Sequence, residues 1–504
     1  MIVVLLLASL LYYRSYYNYG INLLDEGYLL DPVTRVMQGE LPYRDFRHFY
    51  PPGSFYLFSA CFNIFGTDIG VTRLFWAVLH SVAACFAYLI ARRFVSPLYA
   101  LAGAALFVIA PAPWHKSFFV CLPLVCLWVY LKYIDNRGYR WLTIAALTSA
   151  GAFLFRQDVA LYGCLVFVVM MSMSRDSAGG APKLEVVKFM FLFVAFVLPV
   201  LIFFYSRDAL GAFTREVFLS GYKGTKAYDL SFPPFFPLFS ADLTSTLKGK
   251  LFYLPFLIYV LSAAYLIVMW GALKKDGLHI KYACLLLYGC LVLLQLKNRT
   301  DLPHLWQVLP LVYLAAAVFF GRAFTKSARF SWSGPLLMAV LVLGVTSVAL
   351  QDPNSGSIAF KKGCDTLLDL PRAKVYLTKP RATELREAVG FIEANSGKGD
   401  YILALPNIPM LYFLADRKNP TFTELFMRGM TSDRADQERV IQDIEAKRVN
   451  LVALNLRETD GFIKERQFKE HSPILYSYIM SHYAEAGRAG DIVMMKRTGC
   501  PSTY

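Results

Sequence analysis

Asp25 and Glu26 stand side by side just past the first apolar stretch, Ile2 to Leu11. Two adjacent carboxylates at the end of a membrane span are costly unless they are solvated or functional. An ionised Asp held there could serve as general base toward a hydroxyl nucleophile. A second group of residues could handle phosphate. Lys297-Asn298-Arg299-Thr300-Asp301-Leu302-Pro303-His304 ends an apolar run with two cations and a histidine. Arginine offers a rigid fork for phosphate oxygens, and lysine adds a point charge. The plain alternative is a snorkelling basic end closed by an Arg299–Asp301 pair. Arg156-Gln157-Asp158 interrupts another apolar region, where Arg156 either meets a phosphate or pairs with Asp158. Asp45 is a second acid for acceptor contact, or a turn former after Pro42-Tyr43-Arg44. His115 is a candidate for substrate contact, although beside Lys116 it also reads as part of a solvated turn.

The elements that must hold these residues are membrane helices. The chain has 504 residues, 56% hydrophobic and only 17% charged. Its apolar residues come in continuous runs, about eleven of them long enough to approach the roughly 20 residues of a span. The expected spans are 2–19, 71–90, 97–113, 117–131, 141–155, 157–173, 186–205, 251–270, 280–297, 305–320 and 334–350. No cleavable leader is evident, so the first run reads as a signal anchor, or as a chain whose true start lies upstream. Lys/Arg-rich loops at 92–93, 132–140, 175–188, 274–281 and 322–329 follow every second span, which puts them in the cytoplasm. The opposite face then receives loop 20–70, the turn 113–116, Arg156 to Asp158, loop 206–250, Lys297 to His304 and everything after Gln351. A transporter would spread polar groups through the midplane instead. The net charge of +15 combines that loop bias with a possible site for anionic head groups. No nucleic-acid partner is expected.

Residues 1–350 are expected to form the membrane domain and 351–504 a soluble α/β domain, with the boundary at Gln351 to Gly356. In the tail, helices at 383–395, 433–447 and 472–486 alternate with strands at 401–405, 450–454 and 491–495, which predicts a partly parallel sheet. No glycine-rich phosphate loop occurs. Nine cysteines are scattered without a CxxC. Seven (Cys61, Cys85, Cys121, Cys126, Cys164, Cys284 and Cys290) read as inert core, and Cys364 and Cys500 are either free thiols or a pair. No cluster has metal-ligand spacing, so no obligatory cofactor is expected; a divalent cation at Asp25/Glu26 stays possible.

Loop 20–70 carries an ordered set of motifs: Asp25-Glu26, then Gly39-Glu40-Leu41-Pro42-Tyr43-Arg44-Asp45, then Pro51-Pro52-Gly53, then Phe65-Gly66 and Arg73. Tyr28 to Gln38 has helical spacing and is stopped by Gly39; Tyr50 to Gly53 is a rigid turn into another interfacial helix. The set resembles the first extracytoplasmic loop of the GT-C membrane glycosyltransferases, in the branch of bacterial protein O-mannosyltransferase relatives and lipid A aminoarabinose transferases. The likeness is best over residues 20–165. It implies a polyprenyl-phosphate sugar donor, a glycan, lipid or protein acceptor, and inversion in a single displacement. Asp25 matches the family's base, with Glu26 positioning the acceptor or orienting a basic partner. Arg299 with His304 resembles a further stretch of related proteins, so Arg299, His304, Arg156 and Lys297 are expected at the donor phosphate. Tyr43, Asp45, His115 and Lys223 are expected at the acceptor or substrate. Loop 206–250, with Phe232-Pro233-Pro234-Phe235-Phe236-Pro237, would form a lid over the lipid. The expected location is the bacterial inner membrane, with the site and the tail facing the periplasm. Two other classes fit less of the pattern: a flippase for lipid-linked sugar, and a non-catalytic envelope-assembly subunit.

Overall fold

The computed structural model describes residues 1–174, 182–220, 230–235, 243–297, 299–324, 332–457 and 464–498. Among the described residues nine α-helices come first: α1 (Ile2–Arg14), α2 (Asp25–Met37), α3 (Gly53–Phe65), α4 (Ile69–Ala91), α5 (Pro97–Ile109), α6 (Ser117–Asp135), α7 (Tyr139–Phe155), α8 (Gln157–Met173) and α9 (Pro182–Tyr205). Helices Leu254–Val268, His279–Val292, Leu302–Ala323 and Ser333–Ala349 follow. A hydrocarbon environment forces this choice, because every backbone polar group must be paired within its own segment. Among the described residues, five helices are long and apolar enough to cross a membrane: Ile69–Ala91, Trp114–Asp135, Lys183–Tyr205, His279–Leu296 and Leu302–Ala323. Shorter apolar helices include Ile2–Arg14, Pro97–Ile109, Gln157–Met173, Leu254–Val268 and Ser333–Ala349.

Two compact units emerge. The first comprises Met1–Tyr16, Leu74–Ile202 and Asp229–Phe360. At its centre, helix Leu302–Ala323 is buried without a break from Leu305 to Val318, the signature of a helix apolar all round. Gly103 on α5 lets it approach: a Cβ there would sit 3.2 Å from that of Ala317. The outer helix α9 shows the reverse pattern, with Leu184, Val187, Phe191, Val194, Leu198 and Ile202 exposed at helical spacing, as suits lipid.

The second unit gathers Tyr17–Arg73, Phe203–Tyr228 and Lys361–Tyr504. Its sheet has strand order β3-β4-β6-β5, from β3 (Ile402–Leu405), β4 (Leu451–Asn455), β5 (Tyr483–Ala489) and β6 (Ile492–Arg497). Strands β3 and β4 are parallel, and the other pairs antiparallel. Leu403, Leu405, Val452, Leu454, Val493 and Met495 bury one face with Val440 and Ile444 of helix Arg434–Ala446 and Leu475 and Ile479 of helix Pro473–His482. A separate hairpin joins β1 (Thr366–Leu370) to β2 (Ala373–Leu377).

Several local expectations shift. The first helix ends at Arg14 rather than running to residue 19. Tyr483 to Ala486, read as helix, begins edge strand β5. Cys290 is exposed and Cys61 half-buried rather than core. Cys500 lies outside the described residues, and with it the question of a Cys364 pair.

Candidate active site

Asn22 starts the acidic half of the site. Its Oδ1 accepts the backbone N–H groups of Leu24 (3.0 Å) and Asp25 (2.9 Å), which covers donors that the first turn of α2 would leave orphaned. Its Nδ2 donates to Asp25 Oδ2 at 3.0 Å. Asp25 is thus held at the first position of α2, half-buried, where the helix dipole favours a negative charge.

Glu26, one residue on, turns about 100° around the helix axis and meets a different environment. It is only 3% exposed. Both of its oxygens receive Arg73, Oε1 from Nε and Oε2 from Nη2, each at 2.8 Å, and Oε2 also accepts the Asn22 N–H at 2.9 Å. The remaining donors of Arg73 go to the carbonyls of Tyr17, Tyr19 and Gly20. One guanidinium therefore satisfies all its donors and fixes the strand of chain entering α2. Glu26 holds a basic partner, one of the two roles the sequence allowed it. With both oxygens so engaged, it could share a cation with Asp25 only by giving up that pair.

α2 itself contains Pro32, which cannot donate to the carbonyl of Tyr28 four residues back. His48 fills the gap, with Nε2 3.1 Å from that carbonyl, and stacks on the Tyr28 ring at 4.1 Å. Burial pushes the His48 imidazole down to about 3, so it is neutral. Nδ1 is then free to accept the Tyr50 N–H. Further along, Asp31 accepts from Asn419 Nδ2 at 2.8 Å, and Arg35 bonds Glu40 and the carbonyl of Thr421. Burial raises Asp31 to about 7 against the pull of Arg35 and Asn419. Glu424, 1% exposed, has no hydrogen-bond partner for either oxygen among the described residues, and burial holds its carboxyl well above the usual range.

The other acceptor-side candidates are structurally committed. Asp45 accepts the Leu41 N–H at 2.7 Å and both arms of Arg44, which is turn chemistry. The Arg44 hydrogen bonds outweigh burial and hold its carboxyl below the usual range. Tyr43 is buried against Phe204 and Phe213 and donates to the Tyr50 carbonyl. Lys223 lies outside the described residues, as do the rest of 221–229 and residues 236–242 of loop 206–250.

In the first unit, Asp301 caps helix Leu302–Ala323, accepting the His304 N–H at 3.0 Å on Oδ1 and bonding His304 Nδ1 through the same oxygen. Its Oδ2 receives Nε and Nη2 of Arg299 at 3.1 and 3.0 Å. Arg299, Asp301 and His304 are thus one chain of contacts. Lys297 is exposed. Arg156, buried and extended between α7 and α8, grips Asp158 with two bonds, while Gln295 donates to Asp158 at 2.7 Å. Its guanidinium lies 4.5 Å from the centroid of the Phe119 ring. His115 and Lys116 occupy a 3₁₀ turn, Trp114–Lys116; His115 is half-buried and Lys116 buried. Among the described residues no group of three or more His, Cys, Asp or Glu could hold a metal ion.

Sequence reasoning missed Asn22, although an Asn three residues ahead of an acid at a helix start is a readable cap signal. It quoted Arg73 without a role, and it read Lys116 as solvated.

Residues 50–203 match the family model described as dolichyl-phosphate-mannose-protein mannosyltransferase. No curated protein matches the chain in sequence. Among solved structures, ArnT from Cupriavidus metallidurans bound to undecaprenyl phosphate is similar over 99% of this chain and 97% of its own, with TM-score 0.59 at 13% identity. The Archaeoglobus fulgidus oligosaccharyltransferase in complex with Zn and sulfate is similar over 96% of this chain and 71% of its own, with TM-score 0.57 at 12% identity. The same archaeon's AglB, with an inhibitory peptide and a dolichol-phosphate, covers 100% and 74%, with TM-score 0.53 at 12% identity. The chain therefore has the fold of the GT-C membrane glycosyltransferases and, over residues 50–203, a segment similar to the mannosyltransferase family.

Proposed function

We propose that this protein is an inverting glycosyltransferase that moves a sugar from a polyprenyl-phosphate donor to an extracytoplasmic acceptor, a cell-envelope glycan, lipid or protein. Asp25 is the general base. The observation that carries this reading is the contrast within the acidic pair: Glu26 is locked on Arg73, while Asp25 stays half-buried at a helix N-terminus. In the reaction the acceptor O–H proton passes to Asp25 as its oxygen bonds the sugar C1. The C1–O bond to phosphate breaks, and its electron pair leaves with the lipid phosphate. The transition state carries oxocarbenium character, as in other glycosyl transfers. Arg299, His304 and Arg156 are assigned to the donor phosphate, with Lys297 in a lesser role. Because Arg299 and Arg156 already hold Asp301 and Asp158, they position more than they grip. Structures similar to this one hold undecaprenyl phosphate or dolichol-phosphate, which supports the donor class. We place the protein in a bacterial inner membrane with about eleven spans. Loop 20–70 and the soluble tail, from about residue 351, face the periplasm.

Comparative mass spectrometry of surface glycolipids, glycans and glycoproteins tests this, using cells with wild type, a gene deletion, or an equally expressed Asp25→Asn variant. One sugar mass is expected to vanish from both the deletion and the variant, which would name sugar and acceptor together. Retention of the sugar in Asp25→Asn would remove Asp25 as the base.

A further inference from the structure

The tail carries a cleft that glycosyl transfer at Asp25 does not use. It encloses about 630 Å³, within the roughly 300–1,000 Å³ of small-molecule sites. Its lining is too polar for a lipid chain. Arg428 and Arg434 offer N–H donors, Glu465, Glu470 and His471 offer acceptors, and Ile474 adds an apolar patch. All of these residues belong to the second unit.

The walls are braced from behind. Gln437, 2% exposed, accepts the N–H groups of Ile474 (3.0 Å) and Leu475 (3.2 Å) on Oε1 and donates through Nε2 to the Ser432 carbonyl at 3.2 Å. One side chain thus ties helix Arg434–Ala446 and the turn before it to the start of helix Pro473–His482. Leu475 is itself buried in the core beneath the sheet. The wall at 428–432 follows directly on Leu425 and Met427, which pack against Leu24 and Tyr28, the residues flanking Asp25 to Gly27. The cleft and the turn that carries Asp25 are therefore seated on one apolar cluster.

His471 decides which chemistry fits. It is 8% exposed. Ser472 has one hydroxyl proton and donates it to the Thr431 carbonyl at 2.9 Å. Ser472 Oγ therefore accepts from His471 Nδ1 at 2.8 Å, and Nδ1 carries the imidazole proton. Burial, with the charge of Arg428 adding to it, pushes the imidazole down to about 4. At neutral pH, Nε2 is then a bare acceptor for the cleft that His471 lines. A ligand that satisfies it must bring a proton. A fully ionised phosphate or carboxylate brings none and meets Glu465 and Glu470 as like charges. A sugar brings hydroxyls, each able to donate and accept, and a C–H face for Ile474.

We propose that this cleft binds a sugar residue of a glycan acceptor. One hydroxyl donates to His471 Nε2, others donate to Glu465 and Glu470, and Arg428 and Arg434 donate to the sugar oxygens. This rests on the glycosyltransferase reading and narrows its acceptor to one that bears a glycan.

The test is titration of the full-length protein in phosphatidylcholine nanodiscs with oligosaccharides selected on an array of bacterial surface glycans, for wild type, Arg428→Met, Glu470→Gln and His471→Phe. Wild type is expected to bind at least one array member, built of the same sugars as the surface glycan whose mass changes on gene deletion. Arg428→Met and Glu470→Gln should each weaken that binding about tenfold, the worth of one hydrogen bond to a charged group. Both side chains are exposed, so the melting temperature should stay at the wild-type value. His471→Phe keeps a ring against Phe468 and should cost a similar factor in affinity. Free inorganic phosphate is the rival probe. An anion site would bind it, and Glu470→Gln would tighten that binding by removing a like charge; this result overturns the proposal. So does a wild type that binds no array member, or a set of variants that all bind as wild type does. Each of these leaves the enzyme reading standing where Asp25→Asn still abolishes one sugar mass. A bound sugar foreign to the surface glycan overturns the acceptor assignment. Binding that the cleft variants weaken, in a protein whose Asp25→Asn variant keeps every sugar mass, upholds the cleft and removes Asp25 as the base.

Discussion

The acidic pair separates because a helix rotates successive side chains onto different faces. Glu26 falls on the buried face and meets Arg73; Asp25 falls at the rim. The same burial shapes the cluster further along α2, where Asp31 and Glu424 face a single guanidinium, Arg35, already paired with Glu40. The folded protein therefore holds the Asp31 proton up to about pH 7, whereas an unfolded Asp releases it near 4. Between those values the native state binds more protons than the unfolded one, so stability falls as pH rises through that window and levels off above it. Glu424 acts in the same direction. Asp31→Asn keeps an oxygen for Asn419 Nδ2 and removes the ionisation. The variant should melt several degrees higher than wild type at pH 8, with the gap closing toward pH 5, as measured by thermal unfolding across that range.

At the scale of elements, α2 is placed by backbone contact. Gly27 faces the backbone of Met410 at the start of helix Met410–Ala415, so closely that a Cβ would lie inside van der Waals contact. The Met410 N–H also donates to the Leu23 carbonyl at 3.2 Å. Gly27→Ala should therefore push the two helices apart, costing about 1–3 kcal/mol of stability. It should slow sugar transfer by more than tenfold, because Asp25 moves with the helix. Turnover of a defined donor and acceptor, beside a melting curve, checks both. The helical reading of Tyr28 to Gln38 was legible because apolar spacing and Gly39, at φ 90°, mark it. The β1–β2 hairpin and strand β5 were not. Tyr483 to Ala489 carries three Ala and one Glu, residues that favour helix, and forms a strand against β6. The Glu26–Arg73 pair and the burial of Lys116 were equally hidden, since they join or enclose residues far apart in sequence and leave no local signature.

For the molecule as a whole, the polar loop after α1 and the tail are one folded body. Arg47 N donates to the Phe422 carbonyl, Gly20 N to the Tyr376 carbonyl, Tyr376 N to the Asn18 carbonyl and Ile69 N to the Arg372 carbonyl. Truncation after Phe360 removes every one of these partners. The shortened protein should lose sugar transfer, and its 17–73 segment should be cut by protease under conditions where the full-length chain resists, as read from fragment masses.

That interleaving also sets a clock on synthesis. The ribosome makes Asp25 long before the stretch from Met410 to Glu424, which seats α2. At roughly 5–20 residues per second, the interval is on the order of tens of seconds. Throughout it α2 lacks the segment against which it packs. The proposed activity therefore waits on the synthesis of Met410 to Glu424, some 385 residues after Asp25.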